Sequence, residues 1–239
     1  MSINIFAQNS DSATFYYNIG LQEKSNQRLL VAHQAFEKAI SFNSQYADAY
    51  LANAQVLLEM RRTDKAKENF TKLYELQPSN KEAIKELTEL HYSYRQYEKA
   101  IEFAGQCSDC ENAYRIIGMS QYQLEDYAAA EKALVKALEK NATDAEATYT
   151  MARCFLDMEE YKKAVPWYEK AVAMPGTKNT WMYELGLLYY NNNDYRNAVL
   201  SFEKAAANGY EQKNDFNENL GFASLYAGDY DKGEQLLLG

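Results

Sequence analysis

The chain has 239 residues, with 25 Lys and Arg against 34 Asp and Glu, a net charge of −9, and only ten Gly and three Pro. An acidic chain without a basic patch excludes a nucleic-acid binder, because such affinity comes from Lys and Arg that release phosphate counterions. No apolar stretch approaches the roughly 20 residues that span a bilayer. Abundant Ala, Glu, Lys and Leu, with no β-branched runs, predict an all-α protein.

At the N-terminus, Ser2 to Ala7 read as the end of an export signal, an apolar end with a small residue ahead of a polar stretch. The competing reading is a short disordered leader or an expression scar. On the first reading the protein is periplasmic or secreted, on the second cytoplasmic.

From residue 13 onward one pattern recurs. Tyr16, Gly20, Ala32, Phe36 and Ala39 reappear in kind as Tyr50, Ala54, Ala66 and Phe70 in the next unit, which closes on Pro78. The third unit is short and degenerate, keeping Leu87, Tyr97 and Ala100 but carrying Thr88 where a small residue is wanted. Tyr114, Gly118, Tyr127, Ala130 and Leu134 mark the fourth, and Met151, Ala152, Tyr161, Ala164 and Tyr168 the fifth. The densest copy runs from Trp181 to Ala205, with Leu185, Gly186, Tyr189, Tyr195, Ala198 and Phe202. A last, partial copy carries Leu220, Gly221, Tyr230 and Gly233.

With Gly186 at position 8 and Ala198 at position 20, the small residue at 8 lets two helices cross closely, and Ala at 20 is expected to face it. Asp126, Asp194 and Asp229 are placed to cap the second helices. Pro78 and Pro175 fall where a helix has ended. Pro166 falls inside a second helix, where it removes one backbone hydrogen bond and should kink it.

This order of large and small residues, repeating about every 34 positions, resembles the tetratricopeptide repeat, a helix–turn–helix unit. The related pentatricopeptide arrays bind RNA, and the acidic charge disfavours them. The resemblance implies an all-α, right-handed α-solenoid. It divides the chain into a leader at 1–12 and a single array at 13–239, with units at about 13–46, 47–80, 81–110, 111–144, 145–178, 179–213 and 214–239. It further implies that first helices line a concave groove, faced by positions 2, 5, 9, 12 and 13.

Of the 21 tyrosines, those at the aromatic positions of the repeat need no functional explanation. Tyr17, Tyr92, Tyr122, Tyr149, Tyr183, Tyr190 and Tyr226 fall instead on the groove set. Tyrosine gives a large contact area with a polar tip and is favoured at interfaces. The predicted partner-binding groove is therefore Tyr92, Arg115, Tyr122, Tyr149, Arg153, Tyr183, Leu187 and Tyr190, with the two arginines able to take a carboxylate in a bidentate pair. The competing account is that positions 5 and 12 pack between neighbouring first helices. No three units carry the Lys and Asn pattern by which some members of the family clamp acidic chaperone tails.

Cys107 and Cys110 form a lone C-x-x-C, read as two ordinary thiols over a local disulfide or a zinc site, for which His91 and Cys154 would be the remaining ligands. His33 is expected at the surface. No nucleophile pairs with a His and no phosphate-cradling Gly loop is present, so no enzyme, cofactor or metal is expected. Leu236 to Leu238 leave the last unit without a polar closing helix, which predicts a longer parent chain or self-association there. The expected function is a non-enzymatic scaffold that binds a peptide or protein segment. The alternative is a binding protein for a small ligand or glycan in the same groove, in a bacterial cell envelope.

Overall fold

The computed structural model describes residues 2–110 and 112–238, with side chains from Asp11 onward. Fourteen α-helices occur among the described residues, and no strand does. Successive helices pair into hairpins. Two compact units result, divided between Ile116 and Ile117.

The first unit comprises α1 (Ser2–Ser25), α2 (Leu29–Phe42), α3 (Ala47–Glu59), α4 (Thr63–Leu76), α5 (Lys81–Ser93) and α6 (Tyr97–Gln106). The division falls within α7 (Ala113–Gln123). The second unit continues with α8 (Tyr127–Lys140), α9 (Ala145–Asp157), α10 (Tyr161–Val172), α11 (Asn179–Asn191), α12 (Tyr195–Ala207), α13 (Asn214–Ala227) and α14 (Tyr230–Leu238). The helical stretch opens at Ser2, so backbone that reads as a leader belongs to α1, and the side chains of Ser2 to Ala7 lie outside the described ones.

One device turns every hairpin. Gln27, Arg61, Arg95, Glu125, Glu159, Asn193 and Gly228 all sit in the left-handed region, with φ between 56° and 95°. In each case the amide one residue later reaches back to the carbonyl five residues before it, as Arg62 N–H does to Leu57 at 2.8 Å and Asp194 N–H to Tyr189 at 2.9 Å. This is the Schellman closure, which satisfies carbonyls left open at a helix C-terminus. Second helices then start at once. Asp126, Asp194 and Asp229 accept from Ala129, Asn197 and Lys232 N–H at 3.1, 3.3 and 3.3 Å, as capping residues should.

The helix crossing differs from the expectation in one respect. A Cβ at Gly20, Gly186 or Gly221 would lie 2.4, 2.6 or 2.8 Å from Phe36, Phe202 or Leu237. The residue facing position 8 is therefore the large one at position 24, not the Ala at position 20. Phe36 and Phe202 are fully buried in these notches. The short third unit reverses the pattern. Thr88 is buried with its hydroxyl on the Ile84 carbonyl at 2.8 Å, and Ala104 stands where the other units place a large side chain. A void of about 10 Å³ remains between them, lined also by Cys107 and Cys110. Helix α10 runs on through Pro166 to Val172.

Candidate functional site

Most of the predicted site residues fall in the second unit, on the face made by α9, α11 and α13 with the end of α7. Tyr122 donates to Asp157 at 2.6 Å, joining α7 to α9. Tyr149 on α9 donates to Glu184 on α11 at 2.8 Å and stacks on Trp181 with centroids 4.3 Å apart. Tyr183 on α11 accepts from Asn219 on α13 at 2.8 Å and stacks on Tyr210 at 4.4 Å. Each is a rung between one hairpin and the next, as packing of positions 5 and 12 between neighbouring first helices requires.

Arg153 and Glu184 form the polar centre of this ladder. Glu184 also accepts from Tyr168, a fully buried residue of α10, at 2.9 Å. Arg153 lies 3.5 Å from Asp157 and 3.7 Å from Glu184. Two carboxylates thus flank the guanidinium that was expected to receive a ligand carboxylate. Burial, together with these carboxylates, pushes the Tyr122, Tyr149 and Tyr168 phenols above the usual tyrosine range. They remain protonated donors at any physiological pH.

Tyr190 is different. It is half-buried on α11, and its ring lies 5.5 Å from Tyr195 and 6.3 Å from Tyr226. Tyr195 and Tyr226 are 4.9 Å apart. Among the described residues the Tyr190 and Tyr226 hydroxyls have no hydrogen-bond partner. Tyr226 is 61% exposed, and Phe222, one turn before it on α13, is 43% exposed. Leu187, at Phe222's register position on α11, is half-buried. Phe222 lies outside the groove predicted from the sequence, although it repeats the position of Leu187 one unit later.

Tyr92 and Arg115 belong to the first unit. Tyr92 is half-buried with its ring 5.8 Å from Tyr97, and Arg115 is half-buried near the start of α7. Tyr17 packs on Tyr46 and Phe36 at 5.0 and 5.8 Å.

The remaining candidates resolve as structural groups. Cys107 and Cys110 are joined in a disulfide, which corrects the reading as two free thiols. Their Cα atoms are 5.2 Å apart, a spacing at which the turn after α6 brings the two sulfurs together. With both sulfurs in that bond, neither is a thiolate ligand. His91 is buried, stacked on Phe103 at 5.2 Å, with Nδ1 on Gln96 at 2.7 Å. Burial, against that hydrogen bond, lowers its pKa. Cys154 is a buried free thiol that burial pushes up to about 12, so it is not a nucleophile at neutral pH. His33 is not simply a surface residue. Its Nδ1 meets Oδ1 of the fully buried Asn53 at 2.7 Å.

A family model described as tetratricopeptide repeat matches residues 117–177 and 183–239, and a second of the same description matches 47–80. Together they cover more than half of the chain. The protein belongs to the tetratricopeptide-repeat family. Its fold is similar to the C-terminal part of a repeat-containing protein from Cytophaga hutchinsonii, at a TM-score of 0.71 and 16% identity over 93% of this chain and 94% of that one. It is also similar to YrrB, a repeat protein with an unusual peptide-binding site, at a TM-score of 0.60 and 20% identity over 82% and 98%. The human protein O-mannosyl-transferase TMTC3 is 23% identical over 66% of this chain, which spans only 18% of that relative's length.

Tetratricopeptide repeats are protein-interaction scaffolds, and the fold is generally a non-enzymatic one. In this member the described residues include no helix long and apolar enough to cross a membrane.

Proposed function

We propose that this tetratricopeptide protein binds a peptide or protein segment on the first-helix face of its second unit, with Leu187, Tyr190, Phe222 and Tyr226 as the contact residues. One contrast carries the reading. Tyr122, Tyr149 and Tyr183 have polar partners on the next hairpin, whereas the Tyr190 and Tyr226 hydroxyls are unengaged and Phe222 and Tyr226 are exposed. Aromatic side chains with open polar tips supply binding energy at low conformational cost. On this reading Tyr122, Tyr149, Arg153 and Tyr183 hold the face in shape, while Tyr190 and its neighbours touch the partner. The peptide-binding site named for YrrB is consistent with a repeat stack of this fold serving such a role.

The test is selection of peptides on the full chain from a displayed random library, followed by fluorescence anisotropy with the selected peptides. Replacing Phe222 and Tyr226 together by Ala should weaken binding by about tenfold or more, as removal of two aromatic anchors does. Tyr122→Phe should leave affinity within about twofold, since its hydroxyl serves the ladder. Selected peptides that bind the double variant unchanged would refute the proposal.

A further inference from the structure

Charge is sorted between the two sets of helices in the second unit. The first helices α9, α11 and α13 carry Glu146, Asp157, Glu184, Asp215 and Glu218 against the single cation Arg153. The second helices α8, α10, α12 and α14 carry nine Lys and Arg against six Asp and Glu. The chain's net charge of −9 does not require this arrangement, because scattered carboxylates would give the same total. Two of the first-helix carboxylates already neutralise Arg153, and Glu146 pairs with Lys178 at 2.6 Å. Glu218 is exposed and forms no ion pair among the described residues.

Glu218 also lies on the aromatic stripe. At 3.6 residues per turn, Glu218, Phe222 and Tyr226 follow one another on one face of α13, and all three are exposed. A carboxylate one turn from a phenyl ring and two from a phenol suits a cation carried on a chain. The carboxylate takes the charge, and the ring faces take the ammonium or guanidinium and its methylene stem.

We infer that the segment bound by this face is basic, with Lys or Arg side chains directed at Glu218 and laid across Phe222 and Tyr226. This rests on the proposed peptide-binding role and adds the sign of the partner's charge. An acidic tail is disfavoured twice over, by the three negative charges left on the first helices once Arg153 and Lys178 are set against their partners, and by the two carboxylates that occupy Arg153.

The experiment uses the full chain and three synthetic peptide pools matched in length and apolar content, one rich in Lys and Arg, one neutral and one rich in Asp and Glu. Anisotropy titrations are made at low and high salt. The basic pool should bind most tightly, with affinity falling several-fold as salt rises. Glu218→Lys should weaken it by about tenfold and Glu218→Gln by about threefold, with helical circular dichroism unchanged. Equal or tighter binding of the acidic or neutral pool, or basic binding indifferent to Glu218→Lys, overturns the inference. If a neutral or acidic pool binds and is lost in the Phe222→Ala, Tyr226→Ala double variant, the peptide-binding role stands and only the charge assignment falls. If no pool binds at all, both fall.

Discussion

The two compact units use the same register positions with different chemistry. In the first unit, position 12 of one hairpin meets position 13 of the next as an ion pair, Lys24 to Glu59 at 3.4 Å. In the second, the equivalent pairs are Tyr122 with Asp157, a hydrogen bond of 2.6 Å, and Tyr190 with Tyr226, a ring contact. The first unit places its buried polar link elsewhere. Asn53, fully buried on α3, donates to Glu37 at 2.7 Å and to Asn69 at 3.1 Å, and meets His33 at 2.7 Å. A repeat therefore fixes where neighbours touch and leaves open what they touch with. A phenol bonded to a carboxylate gains from both ring area and charge-assisted hydrogen bonding, whereas a Lys–Glu pair at a similar depth gains little beyond its screened charge.

The sharpest way to break this comparison is to remove the carboxylate on which the second unit's ladder converges. Glu184→Ala leaves Tyr149 and the buried Tyr168 without their acceptor and leaves Arg153 with Asp157 alone. The expected cost is about 2–4 kcal/mol, the range for breaking a largely buried charged network. Peptide-resolved hydrogen exchange should show faster exchange in α9, α10 and α11 with α2 to α5 unchanged. Equal change in both units would mean that the ladder is not local to the second.

The counterpart in the first unit is Asn53→Ala. His33, Glu37 and Asn69 reach solvent more readily than Tyr168 does, so they regain part of their hydrogen bonding from water. The expected loss is about 1–3 kcal/mol, with faster exchange confined to α2, α3 and α4. A cost above that of Glu184→Ala would reverse the ranking of the two networks.

Much of this was legible from the residues. The small residue at position 8, the aromatics and the Asp caps specify helical hairpins because each is a local requirement of a tight helix crossing or a helix start. Gly186 and Phe202 make the point, although the sequence pointed to Ala198 as the residue opposite Gly186, and the volume that fills the notch comes from position 24. The candidate site was less legible, because a tyrosine on a first helix looks the same whether it serves a ligand or the next hairpin. A signal was nevertheless present. Tyr122, Tyr149 and Tyr183 each have a carboxylate or amide 35 or 36 residues later, one repeat on, and these are the rungs. Tyr190 has another tyrosine at that distance, Tyr226. Lone side chains give no such periodic cue, so the disulfide of Cys107 with Cys110 and the burial of His91 depend on how α6 packs.

The smallest predicted effect sharpens the comparison most cleanly. Lys24 is partly exposed, bonded to Gln55 at 3.1 Å as well as to Glu59. Lys24→Met keeps the methylene stem on the surface between α1 and α3 and removes only the charge. The expected change is less than about 1 kcal/mol in urea unfolding, and smaller still at high salt, where the wild-type pair is already screened. Tyr122→Phe, made at the same register position in the second unit, should cost more and should not respond to salt in this way, since a hydrogen bond to a half-buried phenol is poorly screened. Matching costs and matching salt dependence in the two variants would show that the hydroxyl of Tyr122 holds its hairpins no better than the Lys24–Glu59 pair does.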